Sequence, residues 1–110
     1  MHELAIAQSI VDAISARTEG AAVREVLLDV GRLSGVSTDA LRFCFELAVD
    51  GTTLAGAQLD IREPPGRAHC ASCRQEFALD DLIMLCACGS ADIEVLTGDE
   101  LRIVSVEVCR

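Results

Sequence analysis

At 110 residues, 51% of them hydrophobic, the chain has room for one compact unit or a unit with a small appendage, which excludes a multidomain enzyme. Nine basic residues against eighteen acidic ones give a net charge of −9. With no lysine and only three aromatic residues, all Phe, there is neither a basic face for phosphates nor a stacking platform for bases, so nucleic acid is not an expected partner.

In chain order, Leu4, Ala7, Val11 and Ile14 recur at three- and four-residue intervals, widened by Ile6 and Ile10, so the spacing predicts an amphipathic helix over 2–19 that stops at Gly20. Alternation over 23–30 predicts a half-buried strand with Val26, Leu28 and Val30 on one face and Glu25, Leu27 and Asp29 on the other. After a turn at 31–35, a second helix is expected over 38–50, with Ser37 as N-cap, Asp39 in the first turn, and Leu41, Cys44, Phe45 and Ala48 buried. A short strand over 58–62 follows, with Leu59 and Ile61 inward, and Pro64-Pro65-Gly66 breaks regular structure. Beyond the cysteine-rich stretch, 92–96 reads as a strand, 97–100 as a turn, and 101–108 as a last strand with Val104, Val106 and Val108 on one face. The expected fold is α+β, two helices packed on a three-stranded sheet, with a small zinc-ribbon-like domain inserted before the last strand.

That insertion holds four of the six cysteines, as Cys70-Ala-Ser-Cys73, twelve further residues, then Cys86-Ala-Cys88-Gly89. The N-terminus, Met1-His2-Glu3, has no basic n-region, apolar h-region or cleavage signal, so the expected compartment is the cytoplasm, where a disulfide framework is disfavoured. The apolar run 82–88 is seven residues long, far below the roughly 20 that span a bilayer, and no membrane partner is expected. Paired thiols in such a compartment point to a structural Zn²⁺ site on Cys70, Cys73, Cys86 and Cys88, since two short knuckles can each deliver two thiolates. Three cysteines completed by His69, a thiol redox pair, and plain buried cysteines are the alternatives. The 31 residues from Arg67 to Thr97 fall below the roughly 40 at which a core alone holds a domain together, so the metal is expected to supply stability there. Cys44 reads as core and Cys109 as a free exposed thiol. No nucleophile–base pair, phosphate loop or carboxylate dyad is visible, and the chain does not read as an enzyme.

Taken together, Met1-His2-Glu3-Leu4, Phe43-Cys44-Phe45-Glu46, the two cysteine pairs, 88–93 (Cys-Gly-Ser-Ala-Asp-Ile) and 98–103 (Gly-Asp-Glu-Leu-Arg-Ile) resemble, in register over the whole chain, the HypA/HybF family of hydrogenase maturation factors. The resemblance implies a nickel metallochaperone that helps insert Ni²⁺ into the [NiFe]-hydrogenase large subunit and works with the HypB GTPase. It also implies a nickel-binding domain, here 1–66 plus 98–110, and a zinc-binding domain, here 67–97. Relatives usually carry C-x-x-C as the second pair, whereas this chain has Cys86-Ala87-Cys88. Some use an acidic ligand near the start of the second helix, where this chain has Ser37, so that ligand is not carried over.

The chemistry of the N-terminus agrees with this reading. Histidine in second place disfavours removal of Met1, so the α-amine, the His2 amide nitrogen and the His2 imidazole can close adjacent chelate rings, with the Glu3 amide or carboxylate near a fourth position. Nitrogen-rich planar coordination suits Ni²⁺ or Cu²⁺ better than Zn²⁺. His2 is thus the expected nickel ligand and Glu3 a further candidate, while a frayed polar residue and a first-turn acid are their ordinary structural roles. A monomer or weak dimer is expected. The competing function is a zinc-ribbon module for protein or nucleic-acid interaction without nickel, and for nucleic acid the charge balance speaks against it.

Overall fold

Ala7, Ile10, Val11 and Ile14, spaced along one face, are the residues that the first helix buries, and the computed structural model, which describes residues 2–80 and 83–109, places that helix, α1, at Glu3–Thr18. Leu4 was expected in the same stripe but lies 53% exposed, one turn short of the packed contact. The helix ends where Glu19 turns left-handed (φ 51°), its amide donating to the Ser15 carbonyl at 3.2 Å.

Strand β1 (Val23–Val30) buries Val26, Leu28 and Val30, as the alternation predicts. Asp29 departs from it. Read as facing outward, it is buried, and its carboxylate accepts two hydrogen bonds from the Arg62 guanidinium, Nε at 2.7 Å and Nη2 at 3.1 Å. Helix α2 (Thr38–Ala48) starts under the Ser37 hydroxyl, which accepts the Ala40 amide at 3.3 Å, and buries Leu41, Phe45 and Ala48. It stops short of the expected residue 50 because Thr52 turns back, both its amide and its hydroxyl donating to the Val49 carbonyl. Cys44 is half-buried. Helices α1 and α2 pack on one another, and the sheet beside them has the order β2-β1-β6, with β2 at Gln58–Arg62 and β6 at Leu101–Val108. Val104 on β6 is exposed, and Val106 and Val108 are half-buried, so that face is less deeply packed than its alternation suggests.

The cysteine-rich stretch contains more regular structure than its sequence announces. Strand β3 (Arg67–Cys70) is central in a second sheet and pairs antiparallel with β4 (Glu76–Ala78) and β5 (Ile93–Thr97). The chain divides into two compact units, one of Met1–Leu28, Val36–Ile61 and Arg102–Arg110, the other of Asp29–Gly35 and Arg62–Leu101. The second unit is wider than 67–97, and one side chain explains why. Leu33, in the turn after β1, is buried with Ala68 and Leu79, with Phe77, Ile93 and Val95 against them.

Backbone crossings close this small unit. The Gly31 amide donates to the Glu100 carbonyl at 2.8 Å, Leu33 to Gly98 at 2.6 Å, Arg32 to Pro64 at 3.1 Å, and Leu79 to Gly66 at 2.9 Å. Such crossings require glycine at 31, 66 and 98. A Cβ on Gly31 would penetrate the Gly98 carbonyl, and Gly98, at φ 103°, lies against the Gly66 backbone. Because the obstacle is main chain and cannot rotate away, Gly31→Ala is expected to destabilise the second unit by about 1–3 kcal/mol. Denaturant unfolding of the metal-loaded protein measures this, and an unchanged midpoint would show that the crossing is not tight.

Candidate metal centre

Cys70 is the last residue of β3, and the pleat sets it on the same face as Ala68, the buried face. The chain then makes a knuckle. The Arg74 amide donates to the Cys70 carbonyl at 2.8 Å, the Cys70 amide to the Gln75 carbonyl at 2.9 Å, and Arg74 takes φ 60°. A second knuckle forms at the other pair, where the Gly89 amide donates to the Cys86 carbonyl at 2.9 Å, the Cys86 amide to the Ser90 carbonyl at 2.9 Å, and Gly89 takes φ 91°. Each closing bond of the second knuckle spans one residue fewer than its counterpart in the first. The missing residue of Cys86-Ala87-Cys88 is therefore absorbed in a tighter turn, and both thiols still point inward. The left-handed residue follows the second cysteine in both knuckles, Arg74 in the first and Gly89 in the second.

The result is a cluster of four sulfurs, all within 4.8 Å of one another, with Cys70 Sγ 3.7 Å from Cys88 Sγ and Cys73 Sγ 3.6 Å from Cys86 Sγ. A disulfide needs about 2.05 Å between sulfurs. Tetrahedral thiolates at about 2.3 Å from a central ion stand about 3.8 Å apart, so the donor set fits one tetrahedral metal ion. The knuckles are tied to each other through the Ser72 and Ser90 hydroxyls at 2.7 Å and through the Ala71 amide, which donates to the Asp92 carbonyl at 3.0 Å. Cys70 and Cys86 are buried residues, while Cys73 and Cys88 are exposed residues whose sulfurs turn into the cluster.

Electrostatics favour one thiolate before any metal arrives. The Cys73 amide, 3.5 Å from Cys70 Sγ, leads the causes that lower the Cys70 pKa to about 6, with the Ser72 amide adding to it. For Cys88 the Ser90 amide favours the thiolate, yet the neighbouring thiols of Cys86 and Cys70 hold its pKa above the ordinary value. His69, the alternative fourth ligand, is adjacent to Cys70 and so lies on the opposite face of β3, paired across the sheet with Glu76 and Glu94. Among the described residues, the four cysteines are the group that converges.

The other expected site starts at His2, the N-cap of α1. Its carbonyl accepts the Ile6 amide at 3.1 Å, its side chain makes no capping bond, and the residue is exposed. The Met1 α-amine, part of the expected chelate, lies outside the described residues. Glu3 is half-buried, and its carboxylate accepts the Ser37 amide at 3.3 Å. The Glu3 pKa is lowered by its own backbone amide first and by that of Ser37 second. Sequence reading missed this contact because its ends are 34 residues apart.

Comparison with known proteins yields one consistent result. A family model described as "Hydrogenase/urease nickel incorporation, metallochaperone, hypA" matches residues 1–108. The chain is similar to a hydrogenase maturation factor HypA of Nostoc sp., 46% identical over 108 residues, with 98% of this chain and 96% of the relative covered. A HypA of Geobacter metallireducens is 43% identical over 109 residues, covering 98% and 99%. The fold is like the solution structure of the Ni metallochaperone HypA from Helicobacter pylori, with a TM-score of 0.66 at 21% identity over 98% of this chain and 97% of that one.

Two expected outcomes follow from the geometry. Loading with Co²⁺ should give the absorption of one tetrahedral thiolate-bound ion per chain, and each of Cys70→Ala, Cys73→Ala, Cys86→Ala and Cys88→Ala should weaken it while His69→Ala leaves it intact. Retention in Cys88→Ala with loss in His69→Ala would instead place the imidazole in the coordination sphere. At the N-terminus, a carboxyl group with a lowered folded pKa contributes stability that is present above its unfolded value and is lost as pH falls through the folded one. The Ser37 amide resonance should accordingly shift with a midpoint below that of an unconstrained glutamate, and a midpoint at or above it would contradict the contact.

Proposed function

Because the chain belongs to the HypA family of hydrogenase/urease nickel-incorporation metallochaperones, we propose that it carries Ni²⁺ at its N-terminus and delivers it to the large subunit of a [NiFe]-hydrogenase. The cargo is held by the His2 imidazole together with the adjacent backbone nitrogens and the α-amine of Met1. The observation that carries this reading is the state of His2, an exposed imidazole without a capping bond, on a backbone anchored by the first turn of α1. Nitrogen donors of this kind suit Ni²⁺, and an exposed site lets a recipient ligand approach while the metal is still bound.

Zn²⁺ is the proposed resident of the thiolate cluster, held by Cys70, Cys73, Cys86 and Cys88. It would supply structural cross-linking, because four protein ligands fill a tetrahedral ion and leave no position for substrate. The HypB GTPase is the proposed docking partner in the cytoplasm. An acidic chain meets basic protein faces readily, and the same charge keeps it from nucleic acid.

The test is nickel binding and hydrogenase maturation by untagged protein starting at Met1. In His2→Ala, Ni²⁺ binding and maturation should both be lost while the zinc content and unfolding midpoint stay at parental values, since residue 2 lies ahead of the buried stripe that begins at Ala7. Unchanged nickel affinity in His2→Ala would refute the assignment.

A further inference from the structure

Resting on the reading that nickel binds at His2, we infer that the Glu3 side chain is a positioning group and not itself a nickel ligand: by accepting the Ser37 amide, its carboxylate fixes the His2 chelate at the start of α2. Glu3 is the first residue of α1 and Ser37 the N-cap of α2. Amides at a helix start have no partner inside the helix, and the Ser37 hydroxyl is already committed to Ala40. The Ser37 amide finds its acceptor in Glu3 Oε2, 3.3 Å away. An anionic oxygen there is also favoured by the positive end of the α2 dipole.

His2 is therefore held from two sides. Its carbonyl is bonded to Ile6 in α1, and the side chain of the next residue is bonded to α2, which packs on α1. The His2 imidazole and amide nitrogen, two of the donors that would bind nickel, belong to the residue so anchored, and the imidazole makes no capping bond. Ser37 takes one carboxylate oxygen, Oε2, so a carboxylate rotated to put both oxygens on the metal would release Ser37 and give up the anchor. Holding the chelate in place before the ion arrives reduces the freedom lost on binding, so removing the anchor should lower affinity without removing a ligand.

A double-mutant cycle on untagged protein starting at Met1 tests this, with nickel affinity, zinc content and thermal midpoint measured for each variant. Glu3→Ala and Ser37→Pro remove opposite sides of the contact, and Ser37, at φ −76°, already holds the φ that proline fixes. Each should weaken nickel binding by about 3-fold or more, and the double variant no further than either alone. Glu3→Gln keeps an acceptor oxygen and should remain within about 2-fold of the parent, as should Ser37→Ala, which loses the cap hydroxyl but retains the amide.

If Glu3→Gln is as damaging as Glu3→Ala while Ser37→Pro is silent, the carboxylate binds the metal and the inference is overturned. If both Glu3→Ala and Ser37→Pro are silent while His2→Ala abolishes binding, the positioning role is refuted and the nickel assignment stands. Nickel binding that survives His2→Ala overturns both. Should Ser37→Pro lower the thermal midpoint more than Ser37→Ala does, the comparison of Glu3→Ala with Glu3→Gln decides the matter alone.

Discussion

Four thiols within 4.8 Å of one another are the constraint on which the second unit depends. Thiolates at that distance repel unless a cation lies among them, and a unit with a core this small has little other energy to hold two turns together. Its buried cluster consists of Leu33, Ala68 and Leu79 with three partly buried neighbours. The rest of the unit serves closure. Glycines at 31, 66 and 98 let the backbone cross itself, and the turn after β1 lends Leu33 to a core that residues 67–97 could not complete.

The two candidate sites differ in chemistry as much as in place. The cysteine cluster offers four sulfur donors, two of them from buried residues, at a spacing that fits one ion. His2 offers imidazole and backbone nitrogen on an exposed first turn. Soft thiolates in a tetrahedron suit Zn²⁺, whereas nitrogen donors that can become planar suit Ni²⁺, so a chain carrying both can hold one metal permanently and pass the other on.

Much of this was legible in the residues. Helix α1 is written in the spacing of Ala7, Val11 and Ile14, β1 in the alternation of Val26, Leu28 and Val30, and the convergence of four thiols in the paired cysteines. The illegible parts are those that depend on partners distant in sequence or on elements too short to show a period. Strands β3 and β4 span four and three residues, which no alternation can announce. Asp29 looks like a solvent-facing strand residue until Arg62 reaches it, and Glu3 looks like an ordinary first-turn acid until the Ser37 amide is placed beside it. The second pair is one residue shorter than C-x-x-C, and a turn tighter by one residue keeps its sulfurs in the cluster, a compensation that only backbone hydrogen bonds reveal.

The division of labour between nitrogen and sulfur is tested most directly by X-ray absorption at the nickel edge, on untagged protein first loaded with one equivalent of Zn²⁺. A first shell of nitrogen and oxygen donors, with imidazole scattering and no sulfur, is the predicted result. Sulfur in the nickel shell, with zinc released in equal amount, would contradict it and place the cargo in the cysteine cluster.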